Sequence, residues 1–199
     1  MEISSEIVKA LRERTGAGMM DCKKALNEAN GDLEKSVEYL RKMGMAAADK
    51  RSHREAAQGR VECYIHPGDQ IGVLVEVNSE TDFVARTDDF RGFCHEIAMH
   101  IAAARPMAVG REDLDPAVVA KEREILLDQV KNSGKPQNLW EKIVDGRMLK
   151  FFQEACLLEQ PWVRDNEQSI EDMRKTLSGK LGENVIVRRF AVFQVGQHT

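Results

Sequence analysis

The sequence predicts an α+β protein in which a small helical module precedes a core of antiparallel sheet and helices. Three observations predict this fold class. Apolar residues recur at helical spacing through much of the chain. They alternate with a period of two over 61–65, 71–77 and 184–195, and turn residues separate these segments. A chain of 199 residues is long enough for one well-filled domain and a smaller appendage.

Composition and charge exclude several classes of protein. A content of 42% apolar and 31% charged residues is typical of soluble globular chains. The formal net charge of −4 argues against a protein that grips phosphate backbones, so no direct nucleic-acid partner is expected. The chain shows no signal peptide, no membrane span and no Cys-x-x-Cys pair among its four cysteines. We therefore expect a cytoplasmic protein with reduced thiols and no membrane partner.

Residues 1–44 predict a three-helix N-terminal module. The first helix ends at the glycine-containing turn 15–18, and the second covers about 20–29. Asp32 caps the third helix, and Gly44 marks its end. So small a core is expected to depend on a partner for part of its stability. The alanine-rich, charged residues 45–58 predict a partly helical linker.

Two adjacent methionines, Met19 and Met20, begin the second helix. Neighbouring residues diverge by about 100° around a helix axis, so both side chains cannot face one core. An exposed thioether suits an adaptable protein-binding surface, whereas methionine also fills gaps in cores. The residues alone leave both uses open.

Residues 59–199 predict the α+β core. A β-hairpin with its turn at 66–70 is followed by a long helix, whose apolar stripe runs from Phe90 to Ala102, and a strand near 190 completes the sheet. Two further helices flank the turn 132–136 and predict an antiparallel, coiled-coil-like hairpin inserted at about 116–156. This hairpin either projects from the core or forms part of it, and the sequence leaves both arrangements open.

His95, Glu96 and His100 resemble the helix motif of zinc hydrolases at first sight. In a zinc helix the two histidines lie four residues apart, so that both imidazoles fall on one face. The spacing here is five, which turns the second ring by about 100°. A zinc-dependent hydrolase is therefore disfavoured. No other catalytic constellation is recognisable, and we expect a binding protein without a metal or cofactor.

The stretch from Val77 to Val84 leads from a strand into a loop that carries Asp82 and Phe83 side by side. Loops lie on the surface and are aimed by rigid elements, so this pair can offer a charge and an apolar wedge to a partner. On residue type alone, Phe83 is more simply a core side chain. The residues themselves leave the choice open.

Two longer motifs and several short matches resemble a known family. The longer motifs are LRERTGAGMMDCKKAL at 11–26 and EVNSETDFVA at 76–85. The shorter matches are Tyr64 with His66, the helix 97–102, residues 133–136, Gly146 with Arg147, and residues 182–189. Together these matches resemble bacterial translation elongation factor Ts over essentially the whole chain. The resemblance implies a guanine nucleotide exchange factor for elongation factor Tu in protein biosynthesis, not an enzyme, with an N-terminal module similar to the ubiquitin-associated fold.

The resemblance also implies the site residues. The loop formed by Thr81, Asp82, Phe83 and Val84 would insert between helices of the GTPase, with Phe83 as the wedge. Asp82 would disturb the region near Mg²⁺, so that Mg²⁺ and GDP leave. Further residues match positions that contact the GTPase in the family: Arg12, Met19, Met20, Lys23 and His66.

The chain departs from longer members of this family, which carry two successive halves of the core. A single sheet unit could supply both contact surfaces by pairing with a second copy across a sheet edge or face. The short form therefore implies a homodimer that acts on two GTPase molecules in a 2:2 complex. A protein-interaction adaptor built on residues 1–44 alone remains as the alternative from a different class.

Overall fold

The computed structural model describes residues 3–197, which contain eight α-helices and five β-strands and confirm the α+β class. The helices are α1 Ser5–Thr15, α2 Met19–Glu28, α3 Leu33–Arg51, α4 Asp82–Ala85, α5 Asp88–Ala104, α6 Pro116–Lys131, α7 Trp140–Ala155 and α8 Ile170–Leu181. The strands are β1 Gln58–Ile65, β2 Ile71–Ser79, β3 Pro161–Trp162, β4 Asp165–Ser169 and β5 Ile186–Gln194. None of these helices combines the length and hydropathy needed to cross a membrane.

The described residues form two compact units. The first unit contains the residues up to Gly59, together with Asn78–Phe93 and Asp172–Ile186. It therefore holds α1 to α4 and most of α8. The second unit contains Arg60–Val77, Cys94–Glu171 and the residues from Val187 onward. It holds most of the sheet and both helices of the inserted hairpin.

Caps set both ends of the first helix and the start of the third; the sequence predicts the glycine-containing end of the first helix and the Asp32 cap of the third. The side chains of Ser4 and Asp32 accept hydrogen bonds from backbone N–H groups in the first turns of α1 and α3. Gly16 closes α1 in the left-handed conformation, with φ 68°. The three helices share a small buried cluster composed of Val8, Leu11, Cys22, Ala25 and Leu26.

Helix α3 does not end at Gly44, and that prediction is wrong. The helix continues to Arg51, because the methionine and alanines that follow the glycine favour helix. Gly44 serves close packing instead. A Cβ added to Gly179 of α8 would lie 2.7 Å from the Gly44 Cα, so the two backbones approach where neither residue has a side chain. The first half of the predicted linker is therefore a continuation of α3.

The three-stranded sheet has the order β1, β2, β5, which confirms the predicted hairpin and the final strand. Strand β2 buries Val73, Val75 and Val77 on one face. The predicted apolar stripe of α5 is buried throughout: Phe90, Phe93, Cys94, Ile97, Ala98, Ile101 and Ala102. In the second unit, the His95 ring of α5 packs edge-on against Tyr64 of β1, with ring centroids 5.7 Å apart. Helix α5 thus lies over β1 at this point.

Strand β1 turns its apolar residues away from this helix. Val61 is 61% exposed and Ile65 is 54% exposed, whereas Glu62 and Tyr64 are half-buried. The alternation predicts a strand, but a period of two does not say which face is covered. We call the uncovered side the outer sheet face. Its large apolar residues are Val61, Ile65, Leu74, Phe193 and Val195.

Helices α6 and α7 form the predicted antiparallel hairpin. They bury Leu126, Val130, Val144 and Met148 between them in a cluster of their own. Backbone hydrogen bonds close the base of the hairpin, where Leu157 N donates to Ala108 O over 2.9 Å. The short β3–β4 ribbon that follows is not predicted from the sequence, since its polar residues carry no apolar alternation.

Candidate functional site

The first unit carries a short exposed loop between β2 and α5, which we call the Phe83 loop (residues 80–86). Its centre is α4, a single turn of four residues. Phe83 is 77% exposed, more than any other large apolar side chain in residues 3–197. Ala85, on the opposite side of the turn, is buried. The interpretation of Phe83 as a core residue is therefore wrong, and the exposure that the resemblance implies is present.

Hydrogen bonds fix the start of this loop. Thr81 is the N-cap of α4, and its Oγ1 accepts from the N–H of Val84 over 3.4 Å. The hydroxyl of buried Ser79 donates to Thr81 O over 2.8 Å. Thr81 also donates twice to the carboxylate of Glu183, from its N–H over 3.0 Å and from its hydroxyl over 2.6 Å. The loop is thus tied to a segment far away in the sequence.

The neighbouring residue, Glu80, accepts a hydrogen bond from the residue that follows Glu183. Its Oε1 accepts from the N–H of Asn184 over 2.7 Å and lies 3.5 Å from an Nη of Arg54. The side chain of Asn184 is buried and donates to Ser52 O and Arg54 O, over 3.2 and 2.8 Å. Three segments that are distant in sequence therefore meet at Asn184.

The carboxylate of Asp82 is paired within its own turn. An Nη of Arg86 donates to it over 2.6 Å; the Arg86 side chain is largely exposed and that of Asp82 is about half exposed. A pair of this kind contributes little to stability, because solvent screens it. The negative charge at Asp82 is therefore held in a defined place without being buried.

Four other predicted site residues lie on the N-terminal helices of the same unit. Arg12 is on α1, and Met19, Met20 and Lys23 are on α2. All four side chains are exposed. The choice left open for the two methionines is thus settled in favour of the surface, and both present thioethers to solvent.

The fifth, His66, lies in the second unit, in the turn that follows β1. Its side chain is exposed, and its Nδ1 lies 3.1 Å from the hydroxyl of Tyr64. Tyr64 and His66 together form one of the short family matches, and the structure shows that their side chains are in contact.

The two histidines of the zinc-like motif point to different surroundings, as their spacing predicts. His95 is exposed and lies 3.6 Å from Glu62. His100 is buried, and its Nε2 lies 2.8 Å from Gln160 Oε1 while its Nδ1 accepts from the N–H of Val163 over 3.4 Å. Burial lowers the pKa of His100. Across residues 3–197, no group of three His, Cys, Asp or Glu side chains is arranged to hold a metal ion.

The cysteines offer no activated nucleophile at the buried positions. Burial raises the pKa of the Cys94 thiol to about 12 and that of Cys156 to about 11, so both stay protonated at neutral pH. Cys22 is also buried, whereas Cys63 is exposed on β1. All four are free thiols, as the spacing predicts.

Sequence reasoning missed Glu183, Asn184 and Glu80 as parts of this site. Thr81 and Glu183 are 102 positions apart, and no local pattern links residues at that distance. The family matches over 76–85 and 182–189 included these three residues without giving them a role.

Known proteins match this chain over nearly its whole length. The family model described as "Elongation factor TS" matches residues 2–197. Elongation factor Ts of Moorella thermoacetica is 57% identical over 195 residues, which cover 98% of this chain and 96% of that protein. Elongation factor Ts of Carboxydothermus hydrogenoformans is 56% identical over 195 residues, covering 98% and 90% of the two chains. The chain therefore belongs to the elongation factor Ts family of translation elongation factors.

Proposed function

We propose that this chain is a guanine nucleotide exchange factor for the GTPase elongation factor Tu. It acts in the cytoplasm and has no catalytic centre of its own. The observation that carries the proposal is the exposed Phe83 on a loop that several hydrogen bonds hold in place. A large apolar side chain kept in water on a fixed loop is suited to burial in a partner.

The mechanism follows from how a GTPase holds its nucleotide. Mg²⁺ requires nearly octahedral oxygen ligation and bridges the protein to the phosphates of GDP. Phe83 inserts between helices of the GTPase, and its burial contributes roughly 1.5–3 kcal/mol. That free energy stabilises an arrangement in which the helices and the phosphate loop are displaced. Mg²⁺ and GDP are then held less tightly and leave.

Asp82 acts beside the wedge. Its carboxylate brings a negative charge close to the region of the metal, and the exposed pair with Arg86 is weak enough to exchange partners at a cost below about 1 kcal/mol. Reciprocity then completes the cycle. The factor weakens the binding of nucleotide to the GTPase. Nucleotide therefore weakens the binding of the factor to the GTPase by the same free energy, and the factor is released for another round.

The remaining contacts are assigned to two surfaces. Arg12, Met19, Met20 and Lys23 bind the nucleotide domain of the GTPase, and the two thioethers supply an adaptable apolar contact. The core contributes His66. The exposure of all five side chains supports this assignment.

We further propose that two copies of the chain associate through the outer sheet face. This face carries large exposed apolar side chains, among them Phe193, which is 63% exposed. The nearby Glu76 and Arg189 form an ion pair of 2.7 Å and so compensate each other's charge. A two-fold axis would bury the same surface of both copies. The dimer then presents two Phe83 loops to two GTPase molecules.

The test is the release of labelled GDP from elongation factor Tu. Catalytic amounts of the wild-type chain are expected to accelerate release. Phe83→Ala should reduce the acceleration about tenfold to a hundredfold, because the burial of the ring in the partner is lost. Asp82→Ala should reduce it as well. Val163→Ala, which truncates another exposed apolar side chain, is the matched control and should act like wild type. Release at the spontaneous rate with the wild-type chain would refute the proposal.

A further inference from the structure

The geometry of the Phe83 loop has to come from outside the loop itself. Helix α4 has four residues, and a single helical turn is not stable on its own in water. Phe83 is exposed and so provides no packing that would hold the turn. The loop nevertheless has to present its ring in one orientation, because an unfixed wedge loses entropy when it binds.

Glu183 supplies that constraint through Thr81. Its two oxygens accept separately from the N–H and the hydroxyl of Thr81, over 3.0 and 2.6 Å. Two bonds to one residue fix both its backbone and its side-chain rotamer, and bonds to a carboxylate are stronger than neutral ones. Because the Thr81 hydroxyl donates its hydrogen to Glu183, its oxygen is turned to accept from the N–H of Val84.

Glu183 is itself held from behind. The hydroxyl of buried Ser178 on α8 donates to Glu183 O over 2.6 Å. The next residue, Asn184, donates its backbone N–H to the carboxylate of Glu80. The side chain of Asn184 is buried and donates to the carbonyl oxygen of Arg54. Residues 80–81 and 183–184 therefore exchange hydrogen bonds as two pairs. This arrangement transmits the rigidity of α8 to the start of α4.

We propose that Glu183 is the positioning residue of the Phe83 loop: it fixes Thr81, Thr81 caps α4, and the capped turn holds Phe83 in the orientation that enters the GTPase. This inference rests on the proposed exchange function. Glu183 acts through Thr81.

The experiment compares Glu183→Ala, Phe83→Ala and the double variant in the GDP-release assay with full-length chain. Glu183→Ala should slow exchange about tenfold, the effect of losing charge-assisted hydrogen bonds at one residue. In the Phe83→Ala background the same change should alter the rate by less than about twofold, because the side chain that Glu183 positions is absent. If the two single effects multiply instead, Glu183 acts independently of the wedge and the inference is wrong.

A second measurement does not depend on exchange activity. Hydrogen exchange of the Thr81 and Val84 amides should be faster in Glu183→Ala, while the amides of β2 between Val73 and Val77 keep their protection. Unchanged protection of Thr81 would overturn the positioning role. Loss of protection throughout β2 would also overturn it, since it would mean that Glu183 supports the fold in general.

Two further variants guard against misfolding and charge effects. Glu183→Gln removes the charge and keeps one acceptor oxygen for Thr81, so it should recover part of the rate lost in Glu183→Ala. Glu167→Ala removes an exposed carboxylate in the second unit and should exchange like wild type. If wild type accelerates GDP release and Glu183→Ala equals it, the positioning role fails while the exchange function stands. If wild type itself is inactive, the exchange function fails.

Discussion

Phe83 and Phe90 lie seven positions apart and have opposite environments. Phe90 is fully buried at the start of the α5 stripe, whereas Phe83 is exposed on the preceding turn. Helical spacing predicts the burial of Phe90, because it shares a face with Phe93, Cys94 and Ile97. Phe83 belongs to no such stripe, and residue type alone gives the wrong environment. If Phe83 binds a partner, as proposed, the residues that surround it lie in the partner, and no pattern in its own chain predicts its exposure.

His100 is a residue whose burial has a consequence for stability. Gln160, whose Oε1 lies 2.8 Å from the Nε2 of His100, in turn donates from its own Nε2 to Glu154 O over 2.6 Å. The imidazole and amide groups thus connect α5 to the end of α7. Protonation of the ring would turn the acceptor at Nδ1 into a donor facing the N–H of Val163.

We expect this histidine to make the chain less stable in mild acid. The pKa of His100 is lowered in the fold by burial, while in the unfolded chain it is close to about 6.5. The stabilising contribution is therefore complete above the unfolded pKa and is lost as the pH falls below it towards the folded pKa. Urea unfolding is measured at several pH values from roughly 7.5 to 5, a range that includes that pKa. The free energy of unfolding should depend less on pH for His100→Gln than for wild type. The matched substitution of exposed His53 should leave the dependence as it is; an equal slope for wild type and His100→Gln would contradict the expectation.

Among the elements, the crossing of α3 and α8 has a strict geometric requirement. Gly44 and Gly179 meet there, and a Cβ on Gly179 would lie 2.7 Å from the Gly44 Cα and 2.9 Å from its carbonyl oxygen. Both neighbours are backbone atoms, so they cannot rotate away. The ion pair between Lys175 and Asp49 joins the same two helices over 2.7 Å.

Gly179→Ala should destabilise the chain by about 1–3 kcal/mol, since the helices have to separate to admit the methyl group. Gly146→Ala is the matched control, because Gly146 is in the interior of α7 and has open space around its Cβ position. It should be neutral or stabilising by up to about 1 kcal/mol, from helix propensity alone. The measurement is the free energy of unfolding in urea. Equal effects of the two substitutions would mean that the close approach is not a constraint.

The elements show what local patterns predict and what they miss. The α5 stripe, the hairpin turn at 132–136 and the alternation in β2 are local signals, and each element is present where the sequence predicts it. The end of α3 was misplaced because Gly44 was interpreted as a stop, whereas its reason lies in α8, more than a hundred residues later. The orientation of β1 and the Glu183 contact likewise depend on non-local neighbours. Sequence patterns therefore predicted the elements better than their contacts.

At the scale of the whole molecule, the outer sheet face is an apolar surface of the second unit whose large side chains are exposed. A sheet face with several large exposed apolar side chains is a hazard for aggregation unless something covers it. In the proposed dimer a second copy would supply a cover of matching size and chemistry, because the same face would meet itself.

Phe193→Asp should convert a dimer into a monomer, because it places a charge in the centre of the proposed interface. Sedimentation equilibrium at concentrations of about 1–100 μM, which bracket a typical dissociation constant for such contacts, measures the mass directly. Val163→Asp adds the same charge to an exposed position away from that face and should stay dimeric. A wild-type chain that is monomeric throughout this range would rule out the dimer.

The bond between Thr81 and Glu183 also sets an order of events during synthesis. The two residues are 102 positions apart, so the Phe83 loop emerges from the ribosome long before Glu183, to which Thr81 is hydrogen-bonded. Contacts of such long range form late, after the entropy of closing a large loop has been overcome. A growing chain therefore carries the Phe83 loop before Glu183 is present to bond to Thr81. The loop gains its two hydrogen bonds to Glu183 only when the segment that follows α8 has docked.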